Sequence, residues 1–147
     1  MSLFQSFDIN ASGMTAQRFR SDIISENMAN VNTTSTENGT PYRRKIVTFQ
    51  EKTNTTFREM LENSRNRYIG KGVRVTRVTE DYETDFKMDY DPANPDADEN
   101  GYVTYPNINI VTEMTNMIDA SRAYEANATA FEASKAMAQR GLQIGQS

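Results

Sequence analysis

Asn109-Ile-Val-Thr-Glu-Met-Thr-Asn-Met-Ile-Asp-Ala-Ser-Arg-Ala-Tyr-Glu-Ala-Asn-Ala-Thr-Ala-Phe-Glu-Ala-Ser-Lys-Ala-Met-Ala-Gln-Arg140 is free of proline and rich in alanine, and it reads as one continuous helix. A seven-residue step links Ile110, Met117, Tyr124, Phe131 and Ala138, and an interleaved step links Met114, Ser121, Ala128, Lys135 and Leu142. Together they make a coiled-coil-like seam that needs a partner. Ala120, Ala123, Ala126, Ala130, Ala133 and Ala136 lie outside the seam, so other helices can approach closely from several sides. At 1.5 Å per residue, a helix of roughly 35 residues is about 50 Å long, more than the width of a small domain. It cannot be buried inside its own chain.

Working outward, Ser2 to Asn32 also lacks proline, and Leu3, Phe4, Phe7, Ala11, Met14, Phe19, Ile23, Ile24, Met28 and Val31 recur at helical spacing. This predicts a second helix. Its stripe drifts around the axis, and Gly13 weakens its middle by about 1 kcal/mol relative to alanine, so Met1 to Ile9 reads as a separate or mobile piece, with continuation of the helix as the alternative. The polar run Asn30 to Gly39 ends the helix, because Asn, Ser and Thr side chains compete for backbone hydrogen bonds and Gly39 permits positive φ.

Between the helices, Tyr42 to Gln50 and Gly72 to Thr79 have the composition and alternation of strands, and Phe86 to Tyr90 and Tyr102 to Tyr105 read as two more. The stretch 53–69 is hydrophilic, and Phe57, Met60 and Leu61 predict a turn or two of helix in a variable surface insertion. The expected fold class is α+β. Residues 1–34 and 108–147 form a helical inner domain, and 35–107 form a small β-rich outer domain.

Only 37% of the chain is hydrophobic, below the usual globular share, so the core is small or shared between chains. A net charge of -4 argues against nucleic acid as the main partner. No stretch approaches the roughly 20 apolar residues of a membrane span. The N-terminus lacks the basic and apolar regions of a cleaved signal. Charge is segregated in the middle, with bases concentrated between Arg43 and Arg77 and nine acidic residues against Lys87 alone between Glu80 and Glu99. That pattern reads as two solvated surfaces or as patches that meet between copies.

With no His and no Cys, triad catalysis and conventional zinc sites are excluded. No phosphate-binding glycine motif is present, and the acidic run has few apolar residues to raise a carboxyl pKa. The chain is therefore not expected to be an enzyme or to hold a cofactor. Asp96, Asp98 and Asn100, followed by Gly101, match the start of a calcium-binding EF-hand loop, but the twelfth position is Asn107 and Pro106 precedes it. A calcium-binding interaction module is the alternative reading. A hydrogen-bonded turn is the favoured use of these residues.

Specific strings then stand out: Ala29-Asn-Val-Asn-Thr33, Pro41-Tyr-Arg-Arg-Lys45, Gly72-Val-Arg-Val75, Tyr90-Asp-Pro92, Pro95-Asp-Ala-Asp98, Gly101-Tyr-Val103, Tyr105-Pro-Asn107, Glu113-Met114, Asn116-Met-Ile118, Ser121-Arg-Ala-Tyr-Glu-Ala-Asn127 and Leu142-Gln-Ile-Gly145. In this order the chain resembles the bacterial flagellar basal-body proximal rod (FlgC) family over nearly its whole length. The resemblance implies a structural subunit of the rod, the drive shaft crossing the periplasm, assembled with copies of itself and other rod proteins in a helical tube around a channel. It also implies export by the flagellar type III apparatus without a cleaved signal, and contacts with the motor base and surrounding rings. Two departures stand beside it. Ala93-Asn94 replaces the family's usual Gly-His between Pro92 and Pro95, and 53–69 is longer than the typical linker.

On this reading Met14, Phe19, Ile24, Met28 and Val31 of the first helix pair with Met117, Tyr124, Ala128 and Phe131 of the last. Ala126 and Ala130 then face neighbouring copies.

Overall fold

The computed structural model of the chain describes residues 3–53, 61 and 70–145. Its elements are α1 (Leu3–Ala29), β1 (Lys45–Glu51), β2 (Val73–Glu80), β3 (Lys87–Tyr90), β4 (Tyr102–Tyr105) and α2 (Ile110–Ile144). The α+β class and both terminal helices are as expected. One expectation is corrected: residues 3–9 belong to α1 without a break at Gly13. The expectation for 53–69, apart from Thr53 and Leu61, falls outside the described residues.

Local chemistry sets the ends of the helices. Asn109 caps α2, its Oδ1 accepting the N–H groups of Val111 at 3.0 Å and Thr112 at 3.4 Å. At the end of α1, Asn30 turns its side-chain Nδ2 back to the Glu26 carbonyl at 2.9 Å. The following loop turns at Gly39, whose φ of 71° is in the left-handed region.

The strands form two separate two-stranded sheets, β1 with β2 and β3 with β4. The second pair is antiparallel, with Met88 opposite Thr104 and Tyr90 opposite Tyr102. Because side chains alternate along a strand and opposed residues share a face, Met88, Tyr90, Tyr102 and Thr104 lie on one face. Val103 lies on the other, fully buried.

The chain divides into two compact units, one of Met1–Phe19, Phe49–Thr76 and Ala120–Ser147, the other of Arg20–Thr48 and Arg77–Asp119. In the first, Phe7 packs on Phe131 with ring centroids 4.9 Å apart, and a Cβ on Gly13 would meet Asn127 Oδ1 at 2.6 Å. These pairings run α1 and α2 antiparallel within that unit. Among the described residues, those buried in it are small: Ser12, Ala16, Ala120 and Ser134. Gly72, with φ of 93°, leaves room for Ser12, whose Oγ accepts the Val73 N–H at 3.0 Å and donates to the Ile9 carbonyl at 2.7 Å.

The second unit is centred on Ile24, Tyr42, Val103 and Ile108, all buried. Here too the helices run antiparallel, with Arg20 donating to Asn116 Oδ1 at 3.4 Å and Asn27 to Glu113 Oε2 at 3.2 Å.

The buried line along α2 differs from the expected seam. It runs through the buried Glu113, Ala120 and Ser134, with the half-buried Asn127 completing the seven-residue spacing, and is flanked by the half-buried Met117, Ala123, Phe131 and Ala138. Ile110, Met114, Tyr124 and Leu142 of the expected seam are exposed. The reason is steric: small residues let two backbones approach, and the larger apolar side chains are displaced to the flanks. Ion pairs tie Arg44 to Asp81 and Glu113, and Lys45 to Glu26.

Candidate functional site

The most heavily connected group of polar side chains lies in the second unit, where the end of α1, the start of β1 and the first turn of α2 meet. Glu113 is 1% exposed, and a carboxylate so placed must be paired or neutralised. Its Oε1 accepts from Arg44 Nε at 3.0 Å and Nη2 at 2.8 Å, while its Oε2 accepts from Asn27 Nδ2. Asn116 Nδ2 adds a longer contact to Oε1 at 3.3 Å. Position on the helix assists, since a negative charge in the first turn of α2 faces the positive end of the helix dipole.

Asn27 is saturated. Its Nδ2 also donates to the Lys45 carbonyl at 2.9 Å, and its Oδ1 accepts the Lys45 N–H at 2.9 Å and the Tyr42 hydroxyl at 3.0 Å. Asn107 repeats the device one residue away, its Oδ1 accepting the Arg44 N–H at 2.9 Å while its Nδ2 donates to the carbonyls of Asp81 at 2.9 Å and Thr84 at 3.1 Å. Two buried amides therefore dictate the path of the backbone into β1.

Asp81 closes the group. Burial works against its charge, but N–H bonds from Thr84 and Glu83, the Thr84 hydroxyl and the Arg44 guanidinium prevail and hold its carboxyl below the usual carboxylate range. Tyr42 moves the other way. Burial, then the negative charges of Glu26, Glu80 and Glu113, push its hydroxyl up to about 12, so it stays a neutral donor. Beside them, Arg43 donates to the Asp81 carbonyl at 2.8 Å and stacks on Phe86 and Tyr82 with its guanidinium carbon 4.1 and 4.5 Å from the ring centres.

Chemically this is a lock. Every polar atom of Asn27 is used, and the arrangement ties three elements without leaving a site for a reacting group. The sequence reading missed Asn27, Tyr42, Arg44, Asp81, Asn107 and Glu113 as a group. One signal was available: Glu113 leads the Ala120, Asn127, Ser134 series at seven-residue spacing, a carboxylate on the line that packs.

The residues that the sequence nominated are placed as follows. Ile24 is buried, and Met14, Met28, Val31, Met117, Ala128 and Phe131 are half-buried; Phe19, Tyr124, Ala126 and Ala130 are exposed. In the acidic loop, Asp98 Oδ1 accepts the N–H groups of Asn100 at 2.9 Å and Tyr102 at 2.8 Å, and Asp96 accepts the Thr34 hydroxyl at 2.6 Å. These oxygens organise a turn, and Asn100 enters it through its backbone. Among the described residues no three acidic side chains gather as metal ligands.

Comparison with known proteins gives this geometry a context. A family model described as "Flagella basal body rod protein" matches residues 7–35, and one described as "Flagellar basal body rod FlgEFG protein C-terminal" matches residues 99–144. The chain is 44% identical to the flagellar basal-body rod protein FlgC of Borreliella burgdorferi, over 98% of each chain. It is 43% identical to that of Bacillus subtilis over 99% of each. The chain belongs to the FlgC family of flagellar basal-body rod proteins. With the FlgC of Escherichia coli O157:H7 it shares 38% identity across 99% of its own length and all of the relative's. In this FlgC-family chain the two matched segments hold Asn27 on one side and Asn107 and Glu113 on the other, so the lock joins the N-terminal family segment to the C-terminal one.

Proposed function

We propose that the chain is a structural subunit of the proximal rod of the bacterial flagellum. In this reading it polymerises helically with copies of itself and with other rod proteins around a central channel, and it transmits torque from motor to hook. Residues 1–34 and 108–147 form the inner, axial part, and 35–107 project outward. The observation that carries the reading is similarity over almost the entire chain to proteins named as flagellar basal-body rod protein FlgC.

The helix surfaces support it. Val111 is 72% exposed, Met114 51% and Ile118 51%, and apolar residues spaced i, i+3 and i+7 that lie in water on one side of a long helix mark a surface that another protein covers. Neighbouring copies approach α2 along Ala126 and Ala130, both exposed, as are Phe19 and Tyr124, while Met14, Ile24, Met28, Val31, Met117, Ala128 and Phe131 are buried or half-buried on their helices. No helix among the described residues is long and apolar enough to cross a membrane. The chain reaches the periplasm through the flagellar type III apparatus and meets the motor base and surrounding rings there. It works without catalysis.

Incorporation into isolated basal bodies tests the reading. Replacing Ala126 or Ala130 with Leu or Glu is expected to abolish incorporation and motility while the chain is still made. Normal basal bodies containing both variants would remove the assembly face, and absence of the wild-type chain from basal bodies would remove the function.

A further inference from the structure

The outward face of the β3–β4 hairpin is unusual. A two-stranded sheet with one face on a core ordinarily turns polar residues to water, yet here Met88 is 64%, Tyr90 62% and Tyr102 43% exposed. The two tyrosines are held edge to face at 5.3 Å, and Gly101 packs against Tyr90 and Pro92 so closely that a Cβ there would lie 3.0 Å from the Tyr90 ring. The pair is therefore fixed in place before any partner arrives. Around it runs the acidic segment, with Asp85, Asp89, Asp91, Asp96, Asp98 and Glu99 against Lys87 alone.

The first unit carries the complementary shape. Between α1 and β2 lies a groove of about 820 Å³, whose lining includes the apolar Ile9, Phe19, Val73 and Val75, a size within the range of roughly 300–1,000 Å³ that takes ligands or a few side chains. Its charged lining is Lys52, Lys71 and Arg74 against Asp8, with Lys52 and Arg74 exposed. An apolar lining with a basic rim matches an apolar patch with an acidic rim.

We propose that this groove receives the β3–β4 hairpin of a second copy of the chain, with Tyr90 and Tyr102 on the apolar lining and Asp91 and Asp98 against Lys52 and Arg74. The contact is heterologous, because the two surfaces differ, so repetition builds an open series and not a closed pair. It rests on the rod-subunit reading, whose assembly it specifies.

Two measurements decide it in a flagellated host whose own copy is replaced. In the first, two chains carrying T15C on the groove and T104C on the hairpin face are co-expressed, and isolated basal bodies are oxidised. The native chain has no cysteine, so every disulfide comes from the introduced residues; a T15C–T104C linked dimer is expected in the mixture, and little dimer from either variant expressed alone. In the second, K52E/R74E and D91K/D98K each lower incorporation, by about tenfold for two reversed pairs, and the quadruple variant restores it to near the wild-type level. Circular dichroism of the purified variants checks that each still folds. A cross-link or a charge-swap rescue supports the contact. Wild-type levels in both charge-reversed variants, or neither cross-link nor rescue while the wild-type chain is present in basal bodies, overturns it and leaves the rod reading intact. A wild-type chain missing from basal bodies overturns both.

Discussion

Arg44 sends two N–H groups, Nε and Nη2, to a single oxygen of Glu113, Oε1, and leaves Oε2 to Asn27. The carboxylate is thus divided between the segment that leads into β1 and helix α1, and the loss of either partner exposes a different fault.

Removing Arg44 leaves a buried charge without its cation, and a broken buried pair costs about 3–5 kcal/mol. R44A is expected to lower stability by that order, measured by urea unfolding of the purified chain. Replacing both ends, as R44M/E113M, is expected to recover part of the loss, since it removes the Glu113 charge, while Asp81 loses its cation and keeps only its donors from Glu83 and Thr84. A double variant as unstable as the single one would contradict this account. N27A is expected to fall between them, because it strands the Lys45 backbone groups and the Tyr42 hydroxyl together.

Gly72 is constrained twice, by its positive φ and by Ser12, whose Oγ would lie 2.2 Å from a Cβ there. G72A is expected to destabilise the chain by about 1–3 kcal/mol and to expose the Val73 amide, read by hydrogen exchange. S12A relieves the clash but not the backbone strain, so G72A/S12A should recover only part of the loss. Full recovery would show that φ plays no role.

Gly13 makes the opposite kind of test. Glycine inside a helix is ordinarily worth about 1 kcal/mol less than alanine, yet a Cβ here meets the Asn127 amide at 2.6 Å. G13A alone is expected to give no gain or a loss in thermal stability. In an N127A background the same change is expected to stabilise. Equal effects in both backgrounds would mean that the two residues do not touch.

The lock also sets limits of pH. Because Tyr42 is raised from 10.0 to about 12 in the folded chain, the folded state holds its proton more tightly than the unfolded one. Its contribution is complete below pH 10 and is lost as pH rises toward about 12. Alkaline unfolding followed by near-ultraviolet dichroism should therefore lose a component in Y42F. Asp81 acts on the other side: its lowered pKa contributes stability above the ordinary carboxylate value, lost as pH falls through the folded-state value. D81N should flatten the acid limb, and an unchanged limb would contradict the assignment.

How far the sequence carries the fold can be judged from particular positions. Alanine-rich, proline-free α2 was legible from end to end, as were the strands around Val73 and Val103 and the turn at Gly39. The packing line was not, because apolar size is the wrong guide where helices approach closely: Tyr124 and Met114 look like core and are exposed, while Ala120 is wholly buried. The lock was illegible for a different reason. Arg44 sits in a run of basic residues that composition alone assigns to water, and Glu113 is 69 positions away along the chain. Only the geometry brings them together. Gly13 likewise read as a weak point of a helix, when its missing side chain is what admits Asn127.

The line of Ala120, Asn127 and Ser134 has one more consequence. Such side chains remove little apolar surface from water, so the helices of an isolated chain are fastened lightly for their length. Their order is then governed by mass action: at low concentration they loosen, and with neighbours at hand they tighten. A part made this way distinguishes being alone from being in place.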